Sequence, residues 1–454
     1  MPDTPQTVNS AEPSAPIEAL LTAVLVKQGA SEGMRAITRR ESEFPNPLAA
    51  KLTGVALDPT ARTYADEVLD AYWSDESRQQ DTLDASSTTR EVIIGSGFHA
   101  ATYAAVRVLS GYPKPLVLER VARVGGTFAM TARPTFYLNS RNRAGTAGLA
   151  GDQRAALNFL PGAPIQAANV GMLEYQTNID MALVIRLALA QFADVVTNAT
   201  VLSVIREGTG VEIEVADRSP VLAGRVIDAR GVGDPVSQDI ANGSTVLTFG
   251  QFMARMAGMW PLRGVRRVAV VGGGDSAKCA VESLLGIAPQ PYMAAAALDS
   301  VQGIDWYADR LPSTCDGWQQ QIRGRYQAIG RYLRPGRLLT VIGRRARPVA
   351  LPGAGLIDGR TYDLVVVCTG NQETDIDELD FASFYEYEAP DDNVVARQHY
   401  TLPVFRVGPH ARLPFTGRER EDGIADIPEN RVSMFRTATK TAALAATLPA
   451  LTRD

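Results

Sequence analysis

Short apolar runs separated by helix-period segments dominate the chain from residue 92 onward. Val92-Ile93-Ile94 predicts a short buried strand, a glycine-rich turn and a helix-like run follow it, and Leu116-Val117-Leu118 predicts a second buried strand. Strand, helix, strand in that order is the grammar of a parallel α/β sheet. The grammar recurs: Val268–Val271 runs into Gly272-Gly273-Gly274, and a helix-like segment extends through Leu285. Between the two copies, residues 196–230 alternate apolar and polar positions in the β manner. Further strands are expected at Leu338–Ile342 and Leu364–Val367, and the alanine-rich stretch Val432–Leu451 has a helical period. Ahead of all this, residues 1–16 are rich in Pro, Ser and Thr and read as a mobile arm. Residues 17–88 carry small apolar clusters such as Ile17, Leu20, Leu21, Val24 and Leu25 at helical spacing, and the polar stretch 74–90 reads as a linker or loop. No short tandem repeat is visible; the repeat is one strand–glycine turn–helix unit used twice.

Composition narrows the class. A chain of 454 residues has room for roughly three domain-sized units. With 45% hydrophobic and 21% charged residues it is neither disordered, nor a coiled coil, nor collagen-like. The net charge of -5 offers no basic field to nucleic acid or an anionic membrane. No apolar run approaches the roughly 20 residues of a membrane span, and the N-terminus has no signal-peptide pattern, so a cytoplasmic location is the expectation. The three cysteines, Cys279, Cys315 and Cys368, include no C-x-x-C pair and read as small buried hydrophobes in a reducing compartment. His99, His399 and His410 are scattered, so no metal site is expected.

The first glycine turn is Gly95-x-Gly97-x-x-Ala100, directly after a strand and opening a helix. Gly95 permits the tight turn, Gly97 lets backbone approach a pyrophosphate, and Ala100 lets the helix lie close on the sheet. The helix N-terminus then presents N–H groups and the positive end of its dipole. Glu119 closes the second strand, where a carboxylate accepts ribose hydroxyls. Gly125-Gly126-Thr127-Phe128 follows, and Leu138-Asn139-Ser140-Arg141 lies a little further on. The second glycine turn, Gly272-x-Gly274-x-x-Ala277, repeats the phosphate-cradling geometry, with Asp275 and Ser276 placed to support it at the helix N-terminus.

These residues resemble the flavoprotein superfamily with two dinucleotide-binding domains. Its members include thioredoxin-reductase-like enzymes, flavin-containing monooxygenases and N-hydroxylating monooxygenases. The resemblance covers residues 90 to 450. It implies two Rossmann-like three-layer α/β domains, the NAD(P)H domain inserted in the FAD domain, behind an N-terminal partly helical extension. The expected boundaries are 1–88, 89–235, 236–372 and 373–454. FAD is implied at Gly95, Gly97, Ala100, Glu119, Gly125, Gly126 and Thr127, with Asn139 and Arg141 beside the flavin ring. NAD(P)H is implied at Gly272, Gly274, Asp275, Ser276 and Ala277. Val226–Gly231 and Asp363–Gly370 look like the family's strand-end turns between domains, and Gly370 is placed with the NAD(P)H site. The first turn departs from the pattern, with Arg230 where Thr is usual. Near the C-terminus Gly408 is implied to face FAD, but Pro409 stands where the family has Asp. NADPH is favoured over NADH because Arg310 is placed to pair with a 2′-phosphate; Asp309 beside it suits a free 2′-hydroxyl equally, and Arg344 and Arg345 are further phosphate candidates.

Without a cysteine pair, disulfide reduction through a dithiol relay is excluded. The favoured reading is a monooxygenase in which NADPH reduces FAD and a peroxyflavin oxygenates a small-molecule substrate with molecular oxygen, since such chemistry needs no protein nucleophile. A flavin oxidase, dehydrogenase or electron-transfer reductase is the alternative, and a nucleotide-bound redox sensor the third. His410 and His99 are the candidate general bases, against the plainer reading of loop histidines with ordinary hydrogen bonds. Tyr400 and Trp306 read as core or cofactor-shielding aromatics. The substrate is expected in the cleft between the nucleotide domains, and a homodimer is the base-rate assembly.

Overall fold

The computed structural model describes residues 59–141, 175–237, 239–258, 262–287, 300–322, 324–333, 338–372, 374–390, 393–421 and 434–451. The expected arm at 1–16 and the helical clusters of 17–25 lie outside these. The described chain opens with helices α1 (Pro59–Trp73) and α2 (Glu76–Asp84). Then come β1 (Ser87–Ile94), α3 (Phe98–Leu109), β2 (Leu116–Leu118), α4 (Asn178–Phe192), β3 (Asp194–Val196) and β4 (Val221–Asp228). The second sheet takes β5 (Val246–Thr248), β6 (Arg267–Val271), β7 (Gly303–Tyr307), β8 (Leu339–Ile342) and β9 (Leu364–Val367), with α5 (Asp275–Leu284) after β6. The chain then returns to the first sheet with β10 (Val404–Arg406) and closes with α6 (Met434–Thr447).

The first sheet has nine strands, with the parallel series β10-β4-β1-β2-β3 at its centre. Antiparallel strands Phe384–Glu388 and Val394–His399 extend it beyond β10, and the pair Val201–Glu207 and Gly210–Val215 attaches to β4. The second sheet is wholly parallel, in the order β5-β9-β6-β7-β8. The three-residue apolar runs end up at the sheet centres because both faces there are covered. Ile93, Val117 and Ile227 lie side by side in register and are fully buried. Ala100, Ala101, Ala104 and Ala105 of α3 are all fully buried, and their small size brings α3 close to the sheet and to α4 and α6. Truncating Ile93 to Ala there would cost about 2–5 kcal/mol.

The two passages between the sheets run side by side. Asp234–Pro235, leaving the first, pairs antiparallel with Asn371–Gln372, leaving the second. The second sheet is thus inserted within the first, the expected α/β architecture. The C-terminal helix occupies Met434–Thr447 within the expected Val432–Leu451.

The stretch 74–90 is not a linker. Asp75 caps α2 by accepting from the Arg78 N–H at 3.1 Å, and Leu83 is buried. Gln79, 3% exposed, donates to the Trp73 carbonyl and to Thr197 Oγ1. Tertiary docking overrides polar composition here. Upstream, α1 seats Leu69 and Trp73 in the first core, while its Asp66 and Asp70 pair with Arg186, whose side chain is fully buried in α4.

Candidate dinucleotide sites

A cavity of about 1070 Å³ opens at the C-terminal ends of β1, β2 and β4. Gly95, Gly97, Glu119, Gly125, Gly126 and Thr127 line it, all six singled out from the sequence. Gly95 has φ +92°, and a Cβ there would sit 3.1 Å from the Ala229 carbonyl oxygen. Gly97 has an ordinary φ of -83° and caps α3 with no side-chain hydrogen bond, so the first amides of α3 open on the cavity. A Cβ on Gly97 would meet nothing within 4 Å, leaving open space over the backbone where a phosphate would pass. Gly126, at φ +60°, brings its turn against the first: a Cβ there would lie 3.0 Å from Gly97 Cα. Ala100 is fully buried behind the wall, as its spacing role requires.

Glu119 ties the loops together. Its Oε2 accepts from the Ser96 N–H at 3.0 Å and the Ser96 hydroxyl at 2.6 Å, and its Oε1 accepts from the Val121 N–H at 3.0 Å. Ser96 Oγ in turn accepts from the Gly125 N–H at 3.1 Å. Three arginines that the sequence reading did not assign to FAD also line the cavity: Arg120, Arg123 and Arg230. Arg120 pairs with Asp234 at 2.5 Å, and Arg123 reaches Asp70 of α1 at 3.3 Å. Nothing in their spacing distinguishes them from surface arginines.

Arg230 holds Asp228 through Nε at 2.8 Å and Nη2 at 2.9 Å, and Arg406 Nε approaches the other side at 2.9 Å. Burial pushes the Asp228 carboxyl up, but Arg230, Arg406 and His410 outweigh it and hold it well below the usual carboxylate range. His410 is buried in the turn Pro409–Ala411 and is not among the cavity residues; Pro409 and Met434 are. His99 does line the cavity, and its Nε2 bonds Thr437 Oγ1 of α6 at 2.7 Å. Burial pulls the His99 imidazole down to about 4, so it is neutral near pH 7. Gly408 packs on the His99 ring, 3.0 Å from where its Cβ would lie, rather than on the cavity itself. Asn139 and Arg141 lie on the strand Tyr137–Arg141, and their side chains fall outside the described residues.

The second glycine turn follows β6. Gly272 has φ +126°, and a Cβ would clash with the Cys368 carbonyl oxygen at 2.1 Å. Trp306 Nε1 donates to the Gly272 carbonyl at 2.7 Å, which makes this aromatic a brace for the turn. Gly274 caps α5 with nothing within 4 Å of its Cβ position, and Asp275 and Ser276 stand exposed beside it. Ala277 is fully buried on the sheet. Arg310 is exposed past the end of β7 and forms no ion pair among the described residues, whereas Arg345 pairs with Asp309 and Arg344 with Asp358, each at 2.8 Å. Gly370 accepts from the Val236 N–H at 3.1 Å, at the paired passages between the sheets. No cysteine lines the first cavity: Cys279 and Cys368 are buried in the second core. Among the described residues no cluster of metal-ligating side chains is present, and no helix is long and apolar enough to cross a membrane.

No family model and no curated protein sequence matches the chain. Among solved structures it is similar to the bacillithiol disulfide reductase of Staphylococcus aureus, with a TM-score of 0.51 at 12% identity, over 79% of this chain and 97% of that one. It is also similar to the ornithine N-hydroxylase of Kutzneria sp. 744, with a TM-score of 0.48 at 15% identity, over 79% and 98%. The flavin-containing monooxygenase of Stenotrophomonas maltophilia gives 0.46 at 17% identity, over 78% and 97%. At such identities the likeness is one of fold. With one parallel α/β unit inserted in the other, the chain shares its fold with the bacillithiol disulfide reductase.

Proposed function

We propose that the chain is an FAD-dependent, NAD(P)H-using oxidoreductase, with oxygenation of a small molecule by molecular oxygen as the favoured reaction. One observation carries this reading: each of two parallel sheets ends in a glycine turn that opens a helix, and the first turn faces a cavity of about 1070 Å³. FAD, held over the first turn by Gly95, Gly97 and Glu119, would supply two-electron redox chemistry between a reduced nicotinamide and oxygen or another acceptor.

The chain's own residues would bind and orient. The first amides of α3 and α5 would meet phosphates, over Gly95 and Gly97 in one case and Gly272 and Gly274 in the other. Glu119 would take ribose hydroxyls on the lone pairs left by Ser96 and Val121. Gly125, Gly126 and Thr127 would pass along the flavin side, and Pro409 closes the wall where a carboxylate is usual. Asp275, Ser276 and Ala277 would shape the NAD(P)H turn, and Arg310 would select NADPH through a 2′-phosphate; Gly370 serves the passage between the sheets. His99 would act as a neutral hydrogen-bonding neighbour of the cofactor, and His410 would act behind the wall, through Asp228. The boundaries 1–88, 89–235, 236–372 and 373–454 remain our division of the chain, with residues 59–84 built onto the first sheet. The absence of any cysteine from the cavity lining favours oxygen transfer over a dithiol relay.

The test is anaerobic mixing of the purified protein with NADPH, and separately with NADH, while following the absorbance of oxidised flavin, then admitting oxygen with candidate amines and sulfides present. Bleaching by NADPH and an oxygenated product in step with its consumption support the proposal. Bleaching that yields only hydrogen peroxide or a reduced acceptor moves the assignment to an oxidase or reductase. Flavin that neither nucleotide bleaches overturns it.

A further inference from the structure

The segment that leaves the Gly126 turn does not stay with the first sheet. Phe136 lies in the second core with Leu247, Phe252 and Val268, its ring 5.8 Å from that of Phe249. Two residues on, one buried guanidinium closes the junction. Arg325, from the 3-10 helix Gly324–Tyr332, donates through Nη2 to the Tyr137 carbonyl at 2.6 Å and through Nε to the Leu138 carbonyl at 3.2 Å. Its Nη1 pairs with Glu282, and its Nη2 also approaches Cys279 Sγ at 3.2 Å. Glu282 and Cys279 belong to α5, the helix that opens at Gly274. The side chains of the ion pair are 6% and 4% exposed.

All three guanidinium nitrogens are therefore committed, and to both sides of the junction. On one side is the strand continuing from the wall of the first cavity; on the other is the helix of the second glycine turn. A planar fork holds two carbonyls and a carboxylate in fixed directions, whereas a lysine ammonium would have to reach all three from one nitrogen on a flexible stem. A shift of one unit against the other would keep the Arg325–Glu282 pair, which lies within the second unit, but would strip the Tyr137 and Leu138 carbonyls of their donors and leave the guanidinium only partly satisfied, which is costly for buried groups.

We propose that Arg325 is a positioning residue that locks α5 to the strand Tyr137–Arg141, so the two dinucleotide sites keep one mutual placement and electrons pass between them without rotation of one unit against the other. The catalytic consequence rests on the function proposed above; the lock itself does not.

Full-length Arg325→Ala, Arg325→Lys and Glu282→Gln are compared with wild type by two readouts. The first is hydrogen exchange of the amides of residues 133–141 and 275–284 without added nucleotide; the second is the anaerobic rate of flavin bleaching at saturating NADPH. In Arg325→Ala, exchange in both segments should rise about tenfold or more while β1 and β6 stay protected. Bleaching should slow by about 10- to 100-fold, the penalty of roughly ångström-scale misplacement, with the half-saturating NADPH concentration nearly unchanged. Arg325→Lys and Glu282→Gln should fall between, and they decide the question if Arg325→Ala does not fold. Wild-type exchange in these variants overturns the lock. A loss confined to NADPH affinity, or bleaching at the wild-type rate despite faster exchange, overturns its role in electron transfer. Wild-type protein inert to both nucleotides would defeat the proposed function alone, since the exchange readout still decides the lock.

Discussion

Ser96 and Glu119 are joined twice, the N–H and the hydroxyl of one serine both donating to Oε2 of the same carboxylate at 3.0 and 2.6 Å. With the Gly125 N–H on Ser96 Oγ, the pair welds three loops of the first cavity into one unit. Glu119→Ala should lower stability by about 2–4 kcal/mol, since it strands buried donors that now meet a charge, and should abolish flavin retention. Ser96→Ala should cost about 1–2 kcal/mol. Urea unfolding and the ratio of flavin to protein absorbance check both. Full flavin content in Glu119→Ala would defeat the ribose assignment.

Gly97, the second glycine of the first turn, and Gly272, the first glycine of the second, answer to different constraints. At Gly97 a methyl group meets no protein atom within 4 Å and the backbone is ordinary, so Gly97→Ala should leave stability within about 1 kcal/mol of wild type. It should nevertheless weaken FAD binding at least about tenfold, because the methyl enters the phosphate path. Gly272→Ala should destabilise the fold by about 3 kcal/mol or more, from the Cys368 clash and the positive φ together. Melting curves and FAD titration of the apoprotein separate the two. Equal melting losses would remove the distinction.

His99 supplies a pH signature. Its folded value of about 4 lies below the ordinary value of about 6.5. The folded state therefore binds fewer protons than the unfolded one between those limits. The stability contributed by the neutral imidazole is fully present above about pH 6.5 and is lost as pH falls toward 4. The loss should approach about 3 kcal/mol across that window. In His99→Gln this part of the decline should vanish. Denaturant midpoints from pH 7 to pH 4 for both proteins show it; parallel curves would rule the assignment out.

Arg310 stands exposed where the nucleotide's second ribose is expected, while its neighbour Asp309 is occupied by Arg345. If Arg310 grips a 2′-phosphate, Arg310→Ala should reduce the preference for NADPH over NADH by about 10- to 100-fold, the weight of one charge-assisted hydrogen bond. Measuring kcat/KM with both nucleotides decides it. An unchanged ratio would shift the choice of nucleotide to another group.

The parts of this molecule legible in its sequence are those where a local demand permits few residues. Gly95 at φ +92° and Gly272 at φ +126° sit where a side chain would strain the backbone, and both turns were visible for that reason. The apolar runs marked the central strands because strands covered on both faces admit little else. The docking of α2 was hidden, since Gln79 is polar by composition and is buried only through partners in Trp73 and Thr197. Arg325 was hidden for a related reason: what it binds most specifically is the backbone of Tyr137 and Leu138, which carries no residue code. His410, a candidate base from the sequence, is buried in the turn Pro409–Ala411 and is not among the residues that line the cavity.

The interrupted first sheet imposes an order on biosynthesis. Chains leave the ribosome N-terminus first, and every strand of the second sheet lies between residues 246 and 367. That unit is complete before β10 has been translated. Until then the last residues of β4, Val226–Asp228, lack a partner on one edge, and Asp228 waits for Arg406, 178 positions away in the chain. Pro409 and Met434, the last walls of the cavity, arrive later still. The half assigned to the nicotinamide nucleotide thus matures early, whereas the proposed flavin can be enclosed only once Met434 has been made.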